Sequence, residues 1–251
     1  MSKGFQGAVL RMLGAKEHRL TVVGREQIAP HYVRIRFHSP TIVHSEGEAP
    51  GAWLRLWFPD PSGSSKEYQR GYTIAQCDGD SGELDLEFVL HEPRGPASTW
   101  ASTCDSGDEL VAMRYGDRPF VLPEPAPRGL LLLGDLAALP AIRALAAEFS
   151  SRVPVIVRME EHDPRDRRIP LPTGEGIDSA WVAEKPGGQA LAEEIRGGDF
   201  KGWAAWVTAE SVATRLAKQA LIRECGLPKT HLHAQAYWIR SRAMGKERAM
   251  S

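Results

Sequence analysis

A short run in the first half of the chain, Gln69-Arg70-Gly71-Tyr72-Thr73, combines residue types that suit a flat cofactor carrying phosphate groups. An arginine guanidinium binds phosphate oxygens through charge-assisted hydrogen bonds, and a tyrosine ring packs on other aromatic rings. The run lies at the start of a predicted strand, just before a turn. We therefore predict a cofactor site at Arg70, Tyr72 and Thr73, although the same residues also suit an ordinary strand surface.

A second segment, Gly95-Pro96-Ala97-Ser98-Thr99, follows the next predicted strand and opens a predicted helical turn. Backbone amides at the start of a helix point outward and bind pyrophosphate oxygens. The two segments together favour a cofactor with both an aromatic ring and a pyrophosphate.

The elements that would position these residues are short strands in which apolar and polar residues alternate. Such alternation predicts half-buried strands, and several of them separated by Gly, Pro, Ser and Asp clusters predict a small antiparallel barrel. The strands are predicted at residues 19–23, 31–37, 53–58 and 83–90.

The second half of the chain changes its pattern. Residues 129–133 form a continuous apolar strand, as a parallel sheet covered on both faces requires, and helices are predicted at 140–149 and 211–225. Further strands are predicted at 153–157, 179–182, 203–207 and 233–238. Alternating strands and helices indicate a doubly wound sheet. Three prolines between residues 120 and 129 suit a linker, so we predict domains at 1–125 and 126–251.

Composition excludes several classes of function. The 31 basic residues nearly balance the 32 acidic ones, which argues against non-specific binding to nucleic acid. No apolar run is long enough for a membrane helix or a secretory signal. The three cysteines are scattered without Cys-x-x-Cys spacing, which predicts neither disulfides nor a metal centre, and favours a cytoplasmic protein.

For three further groups of residues, the sequence does not decide whether they bind a ligand. Residues 134–141 join a buried strand to a helix, where α/β sheets bind ligands, but they lack the Gly-x-Gly-x-x-Gly pattern and include Asp135, which would repel a pyrophosphate. An arginine of the run 165–168 would meet the 2′-phosphate of NADPH or lie in a solvated loop. His231 and His233 would share one side of a strand, which is weak support for a metal site.

The order of these motifs resembles the ferredoxin reductase-like flavoproteins. Within them, residues 91–100, 134–141 and 206–210, with Ala236-Tyr237-Trp238, resemble siderophore-interacting proteins. Residues 5–8, 13–16, 69–73 and 234–238 resemble the mycobacterial and actinobacterial branch, which includes the cytosolic reductase domain of siderophore importers. The resemblance implies an antiparallel Greek-key FAD-binding β-barrel followed by a doubly wound parallel α/β nicotinamide-binding domain.

The resemblance also implies roles for individual residues. Arg70 would bind the FAD phosphate, Tyr72 would stack on the isoalloxazine, and Thr73 would bond near flavin N5. The full FAD-binding set is Arg70, Gly71, Tyr72, Thr73, Glu87, Phe88, Val89, Leu90, His91, Gly95, Ala97, Ser98 and Thr99. The nicotinamide-binding set is Gly134, Asp135, Leu139, Pro140, Glu210 and Arg215. Four basic residues would attract an anionic siderophore, namely Lys66, Arg240, Arg242 and Lys246.

The expected function is an FAD-dependent reductase that passes electrons from NADPH or NADH to a ferric siderophore and releases ferrous iron in the cytosol. Its partners would be that siderophore and a siderophore importer at the inner face of the membrane, and the protein would need no metal site of its own. At the positions of Ala137, Ala209 and Ala236, many members of the family have a different residue. These differences would affect the predicted nicotinamide-binding pocket. A general NAD(P)H:flavin or quinone reductase and a non-catalytic flavin- or siderophore-binding module are the alternatives.

Overall fold

A computed structural model describes residues 12, 14–43, 48–114 and 119–240. The chain divides into two compact units, Met1–Pro119 and Phe120–Ser251. No helix in the described ranges is long and apolar enough to cross a bilayer.

The first unit is a closed six-stranded barrel in which every neighbouring pair of strands is antiparallel. Its strands are β1 (Glu17–Ala29), β2 (Tyr32–His38), β3 (Trp53–Pro59), β4 (Glu67–Asp78), β5 (Glu83–Val89) and β6 (Glu109–Met113). The order around the barrel is β1-β2-β5-β4-β3-β6, so the chain passes from β2 to β3 without pairing them, as in a Greek key. Helix α1 (Pro96–Thr103) lies between β5 and β6 in sequence.

Apolar and polar residues alternate along the strands, and the apolar ones form the core of the barrel. Val33, Ile35 and Phe37 of β2 point into a core that also contains Leu54 and Leu56 of β3, whereas the polar residues between them are half-buried or exposed. Burying such side chains is the main stabilising contribution, at about 25 cal/mol per Å² of apolar surface. The sequence patterns at β1 to β3 and β5 predicted these strands correctly, and β6 was not predicted.

The second unit is a five-stranded parallel sheet with helices. Its strands are β7 (Leu130–Asp135), β8 (Val155–Glu161), β9 (Ile177–Ala183), β10 (Ala204–Thr208) and β11 (Leu232–Ala234), in the order β11-β10-β7-β8-β9. The helices are α2 (Leu139–Phe149), α3 (Ala190–Glu194) and α4 (Ser211–Arg223). Every residue of β7 is buried, as expected for a central parallel strand.

Helices cover both faces of this sheet. Leu131 and Leu133 of β7 share a core with residues of α3 and α4, and Gly134 faces α2. A Cβ atom on Gly134 would lie 2.6 Å from Ile142 Cδ1 and 2.9 Å from the Thr208 carbonyl oxygen, so only glycine lets α2 approach this closely. The predicted doubly wound sheet is confirmed.

The segment before residue 238 differs from the sequence prediction. The last strand ends at Ala234, and Trp238 forms only an isolated parallel bridge with Glu210. His231 lies in the 3₁₀ turn before β11, so the prediction that it shares a strand with His233 is wrong. His233 stacks on the Trp206 ring, with centroids 5.8 Å apart.

Candidate functional site

Arg70 lies on β4 opposite Leu56 of β3, in the wall of the barrel. Its side chain is half-buried, and its Nη1 donates a hydrogen bond of 2.7 Å to the neighbouring Gln69 carbonyl oxygen. Burial lowers the pKa of Arg70, but arginine remains protonated. Among the residues that the structure describes, Arg70 has no carboxylate partner. A half-buried cation without an acidic partner is suited to bind an anionic group.

Tyr72 follows two positions later on the same face of β4 and belongs to an aromatic cluster. Its ring centroid lies 4.3 Å from that of Phe88 and 5.8 Å from that of Phe58, and Trp100 packs against the same two phenylalanines. Burial raises the pKa of Tyr72, while the charge of Arg70 opposes the rise, so the phenol stays protonated. The cluster fixes the ring plane of Tyr72, as an aromatic platform for a ligand requires.

Gly71 and Thr73 complete the motif. Gly71 is exposed, and a Cβ atom there would lie 3.3 Å from the indole ring of Trp53, so a larger residue would crowd the ring. Thr73 is 7% exposed and pairs with Trp53 on β3.

The predicted residues at the end of β5 play different parts. The Glu87 carboxylate is buried and already accepts hydrogen bonds from the Tyr32 hydroxyl and from Arg34 Nε and Nη2. Phe88 lies in the core, and Leu90 packs against it. Val89 is half-buried. Because Tyr32 and Arg34 lie on β2, the hydrogen bonds that Glu87 accepts from them link β5 to β2.

His91 is exposed and leads into the first turn of α1. Its backbone N–H donates to Ser98 Oγ at 3.2 Å, and its ring Nδ1 bonds to the Pro93 carbonyl oxygen at 2.9 Å. Gly95 is the N-cap of α1, and no side chain caps this helix start. Ala97 and Ser98 are buried, and Thr99 is half-buried. The start of α1 thus keeps amide groups that no side-chain cap occupies, as the predicted pyrophosphate site requires.

In the second unit, Asp135 lies where the sheet order reverses, between β7 and β10. Parallel sheets bind ligands at this point, beyond the carboxyl ends of the strands. Here Asp135 is 1% exposed and its carboxylate accepts hydrogen bonds from Ala137 N at 3.0 Å, Glu210 N at 2.9 Å and Trp238 Nε1 at 2.7 Å. The protein's own donors therefore occupy this carboxylate.

Glu210 acts in a similar way at the start of α4. Its side chain caps the helix by accepting from the backbone N–H groups of Val212 and Ala213, and it also accepts from Ser211 Oγ and Arg240 N. Burial pushes the pKa of Glu210 up, but the hydrogen bonds outweigh it and hold that pKa below the ordinary value. Glu210 is thus a negatively charged helix cap at the start of α4.

The remaining residues of the predicted nicotinamide set are spread over α2 and α4. Gly134, Leu139 and Pro140 are buried beneath or within the first turn of α2, whereas Arg215 is exposed on α4. The structure brings Gly134, Asp135 and Glu210 together, whereas Arg215 is exposed on α4 and forms none of the contacts described for this group.

Sequence reasoning missed a cavity at the carboxyl edge of the same sheet. It has a volume of about 470 Å³ and is lined by Glu160 at the end of β8, by His162 just after that strand, by Glu184 after β9, and by the start of α4. Glu160 stands beside Asp135 in the pairing of β7 with β8. Its position at the end of the second strand of an α/β unit was a signal available in the sequence.

The four predicted substrate residues are also dispersed. Lys66 is exposed, with its Nζ 5.0 Å from the centroid of the Tyr68 ring. Arg240 Nη2 forms an ion pair of 2.5 Å with Glu184 Oε1. Arg242 and Lys246 lie outside the described residues.

Comparison with known families matches both units. The model of the siderophore-interacting FAD-binding domain matches residues 62–114, and the model of the siderophore-interacting protein matches residues 127–241. The first includes the Arg70 motif and α1, and the second includes the whole parallel sheet.

Individual relatives agree with these matches. The chain is 42% identical over 250 residues to the mycobactin import ATP-binding/permease protein IrtA of Mycobacterium tuberculosis, covering 99% of this chain and 29% of the length of IrtA. It is 22% identical over 245 residues to the ferric vibriobactin reductase ViuB of Vibrio cholerae, covering 89% of each protein.

A solved siderophore-interacting protein from Acinetobacter baumannii has the same fold, with a TM-score of 0.78 and 20% identity, covering 91% of this chain and 93% of that one. The two family models, which match both units, lead to one assignment. The chain belongs to the siderophore-interacting protein family.

Proposed function

We propose that the protein is a cytosolic, FAD-dependent reductase that takes electrons from a nicotinamide donor and reduces a ferric siderophore. Residues 1–125 would bind FAD and residues 126–251 the nicotinamide donor. The observation that carries the proposal is Arg70, a half-buried guanidinium without a carboxylate partner among the described residues, beside the fixed ring of Tyr72. Bound FAD would supply hydride acceptance from the donor and single-electron transfer to iron.

The chain's own residues would bind and orient this cofactor. Arg70 would pair with a phosphate oxygen, and the amides at the start of α1 would receive the pyrophosphate, because Gly95 leaves them without a side-chain cap. The aromatic cluster of Phe58, Phe88 and Trp100 would keep the Tyr72 ring in one plane for stacking.

The substrate would be a ferric siderophore, which the protein meets as a complete iron complex. Hard anionic oxygen ligands favour ferric over ferrous iron, so reduction weakens the complex and releases the metal. Lys66, Arg242 and Lys246 would attract an anionic siderophore. The resemblance to part of the mycobactin importer supports a role downstream of siderophore import at the inner face of the membrane.

Anaerobic spectroscopy tests the proposal. The purified protein, loaded with FAD, should lose its visible flavin absorbance when NADH or NADPH is added and regain it when a ferric siderophore follows, with ferrous iron trapped by a colorimetric chelator. Free FAD at the same concentration is the control for non-enzymatic reduction. A flavin that the donor reduces but that no ferric siderophore reoxidises would contradict the proposed substrate, and turnover with free flavin or a quinone instead would support a general reductase.

A second candidate, a binding module, is favoured by one observation. Asp135 and Glu210 occupy backbone N–H groups at the point where a pyrophosphate binds in many parallel sheets. If no nicotinamide donor binds and chemically reduced flavin is not reoxidised by a ferric siderophore, the module is the correct interpretation.

A further inference from the structure

The start of α4 forms one wall of the cavity at the carboxyl edge of the parallel sheet. The first backbone N–H groups of a helix are a common binding site for anions. In this helix the N–H groups of residues 211–214 all have acceptors. The Glu210 carboxylate accepts two of them, the Glu210 carbonyl oxygen accepts one, and the Trp238 carbonyl oxygen accepts the fourth. This helix start is therefore occupied by the protein's own acceptors and does not suit an anionic ligand.

The cations of the described lining also have acidic partners. Arg240 Nη2 lies 2.5 Å from Glu184 Oε1, and Lys185 Nζ lies 2.6 Å from Glu193 Oε2. His162 Nδ1 lies 3.3 Å from Glu184 Oε1. Each of these three cationic side chains thus already faces a carboxylate, and an anion entering the cavity would have to displace one.

The arginines that follow β8 do not change this balance. Arg165 forms a bidentate pair with Asp163, and Arg167 forms one with Glu161. Arg168 is exposed. These contacts weaken the sequence-based expectation that this loop binds the 2′-phosphate of NADPH, because two of its three charges are already neutralised.

Glu160 is the feature of this cavity that points to a ligand. It is 1% exposed, it lines the cavity, and its Oε2 has no hydrogen-bond partner among the described residues. Leaving a buried acceptor without a donor costs free energy, most of all when the acceptor is charged. A ligand that brings both a donor and a positive charge to Glu160 would remove this cost.

The cavity has room for a small molecule beside Glu160. Its volume of about 470 Å³ falls in the range of small-molecule sites. Residues 186–188 line it without long side chains, and Gly188 packs so closely on α4 that a Cβ atom there would lie 3.1 Å from Ala213 N. Among the described residues, no group of three or more His, Cys, Asp or Glu side chains is arranged to hold a metal ion. These features favour an organic cation.

We infer that this cavity binds a small organic cation with a primary ammonium group, which donates a hydrogen bond to Glu160 Oε2. An ammonium group carries three N–H donors and no acceptor, so it supplies what this carboxylate lacks. The carboxylates of Glu184 and Glu210, which line the same cavity, add negative charge that attracts it. The inference concerns this cavity alone and does not rest on the proposed reductase activity.

Calorimetric titration of the full-length, FAD-loaded protein with diaminobutane tests the inference. Two analogues separate charge from hydrogen bonding: fully N-methylated diaminobutane keeps both charges but has no N–H, and butanediol has donors but no charge. We expect diaminobutane to bind at least about tenfold more tightly than either analogue, the factor expected for a hydrogen bond to a charged group.

Three variants locate the binding site. Glu160→Gln should weaken the binding of diaminobutane about tenfold or more, because the amide keeps the shape of the side chain without its charge. Glu148→Gln, an exposed change on α2, is the matched control and should bind as the wild type does. Arg240→Gln removes an exposed cation that pairs with Glu184 and should tighten binding several-fold.

Proton release gives a second readout. Burial raises the pKa of Glu160 to about 7, and Asp135 from β7 and Glu184 after β9 raise it further, whereas His162 after β8 and Arg240 lower it. A bound ammonium group favours the ionised carboxylate, so binding should release protons near pH 7 and should tighten as pH rises from about 6 to 8. Titrations in two buffers of different ionisation enthalpy measure this release, which should fall in Glu160→Gln.

Several results would overturn the inference: no binding of diaminobutane by the wild type, equal binding of either analogue, or wild-type affinity in Glu160→Gln. Displacement of diaminobutane by NADH would assign the cavity to a nucleotide and would also overturn it. If Glu160→Gln does not fold, Arg240→Gln decides, since an unchanged affinity there would show that the charge of this cavity does not govern binding.

Discussion

The carboxylate of Asp135 and the indole of Trp238, 103 residues apart in the chain, are joined by a hydrogen bond of 2.7 Å. The same Asp135 oxygen accepts from Glu210 N, and the second oxygen accepts from Ala137 N. One buried side chain thus joins the end of β7, the start of α4 and the segment that follows β11.

Replacing Asp135 with Ala should lower the free energy of unfolding by at least about 3 kcal/mol, because three donors lose a charged acceptor and each such loss costs about 1–3 kcal/mol. Asp135→Asn, which retains one acceptor oxygen, should cost less. Urea unfolding followed by far-ultraviolet circular dichroism measures both. A loss below about 1 kcal/mol in Asp135→Ala would show that water replaces the carboxylate.

Arg70→Ala should weaken FAD binding about tenfold or more, because a hydrogen bond to a charged group contributes about 1.5–3 kcal/mol. The FAD affinity of Arg70→Lys should lie between those of the wild type and Arg70→Ala, because lysine keeps the positive charge but lacks the planar guanidinium group. Fluorescence titration with FAD measures the affinities. Arg19→Ala, which removes an exposed ion pair with Glu109 elsewhere in the barrel, is the control. Wild-type affinity in a folded Arg70→Ala protein would contradict the assignment of this motif.

The stability of the second unit should fall as pH rises from about 5 to 8. Burial raises the pKa of Glu160 from 4.5 to about 7, so the folded state binds a proton that the unfolded state has released. The contribution of Glu160 is therefore fully present below about pH 4.5 and is lost as pH passes through 7. His162 acts in the same direction: burial opposes the change, but Asp135, Glu160 and Glu184 raise its pKa above 6.5.

Urea unfolding of wild type and Glu160→Gln at several pH values separates the two contributions. The groups that face Glu160 are Asp135 from β7, His162 after β8, Glu184 after β9 and Arg240 near residue 238. The free energy of unfolding of the wild type should decline relative to the variant by up to about 1.4 kcal/mol per pH unit. Parallel curves for the two proteins would show that Glu160 ionises in the same range in both states.

Replacing Lys66, Arg242 and Lys246 together with Ala should raise the Michaelis constant for an anionic ferric siderophore several-fold at low salt. The effect should shrink as salt is added, because exposed charges are screened over about 10 Å at 0.1 M ionic strength. Flavin reduction by the nicotinamide donor should stay unchanged. Arg240 is left intact because it pairs with Glu184. An unaltered Michaelis constant at low salt would remove these residues from the substrate site.

Much of the fold could be predicted because periodic patterns reflect burial directly. The alternation at residues 31–37 and 53–58 matches β2 and β3, and the apolar run at 129–133 matches the buried strand β7. β6 was not predicted because its sequence, Glu109-Leu110-Val111-Ala112-Met113, has no polar residue after the first position and so shows no alternation.

The cavity could not be predicted from the pattern of residues along the sequence. Glu160, His162 and Glu184 meet only because β8 lies next to β9 and both strands end at one edge of the sheet. The three hydrogen bonds that Asp135 accepts could not be predicted from the sequence either, because only the fold brings Trp238 next to Asp135. The sequence indicated residues 134–141 and 210 as candidates for ligand binding, but it did not show which of them already form hydrogen bonds with other groups of the protein.

The half-buried guanidinium of Arg70 has a consequence for the amount of protein in a cell. A cation kept partly out of water without an acidic partner among the described residues makes the barrel less stable than it is with an anion bound there. Any anion that pairs with it binds the folded state and not the unfolded one, and so adds stability that grows with its concentration. The fraction of chains that escapes proteolysis would then follow the supply of that anion, and the protein's abundance would report whether its cofactor is plentiful.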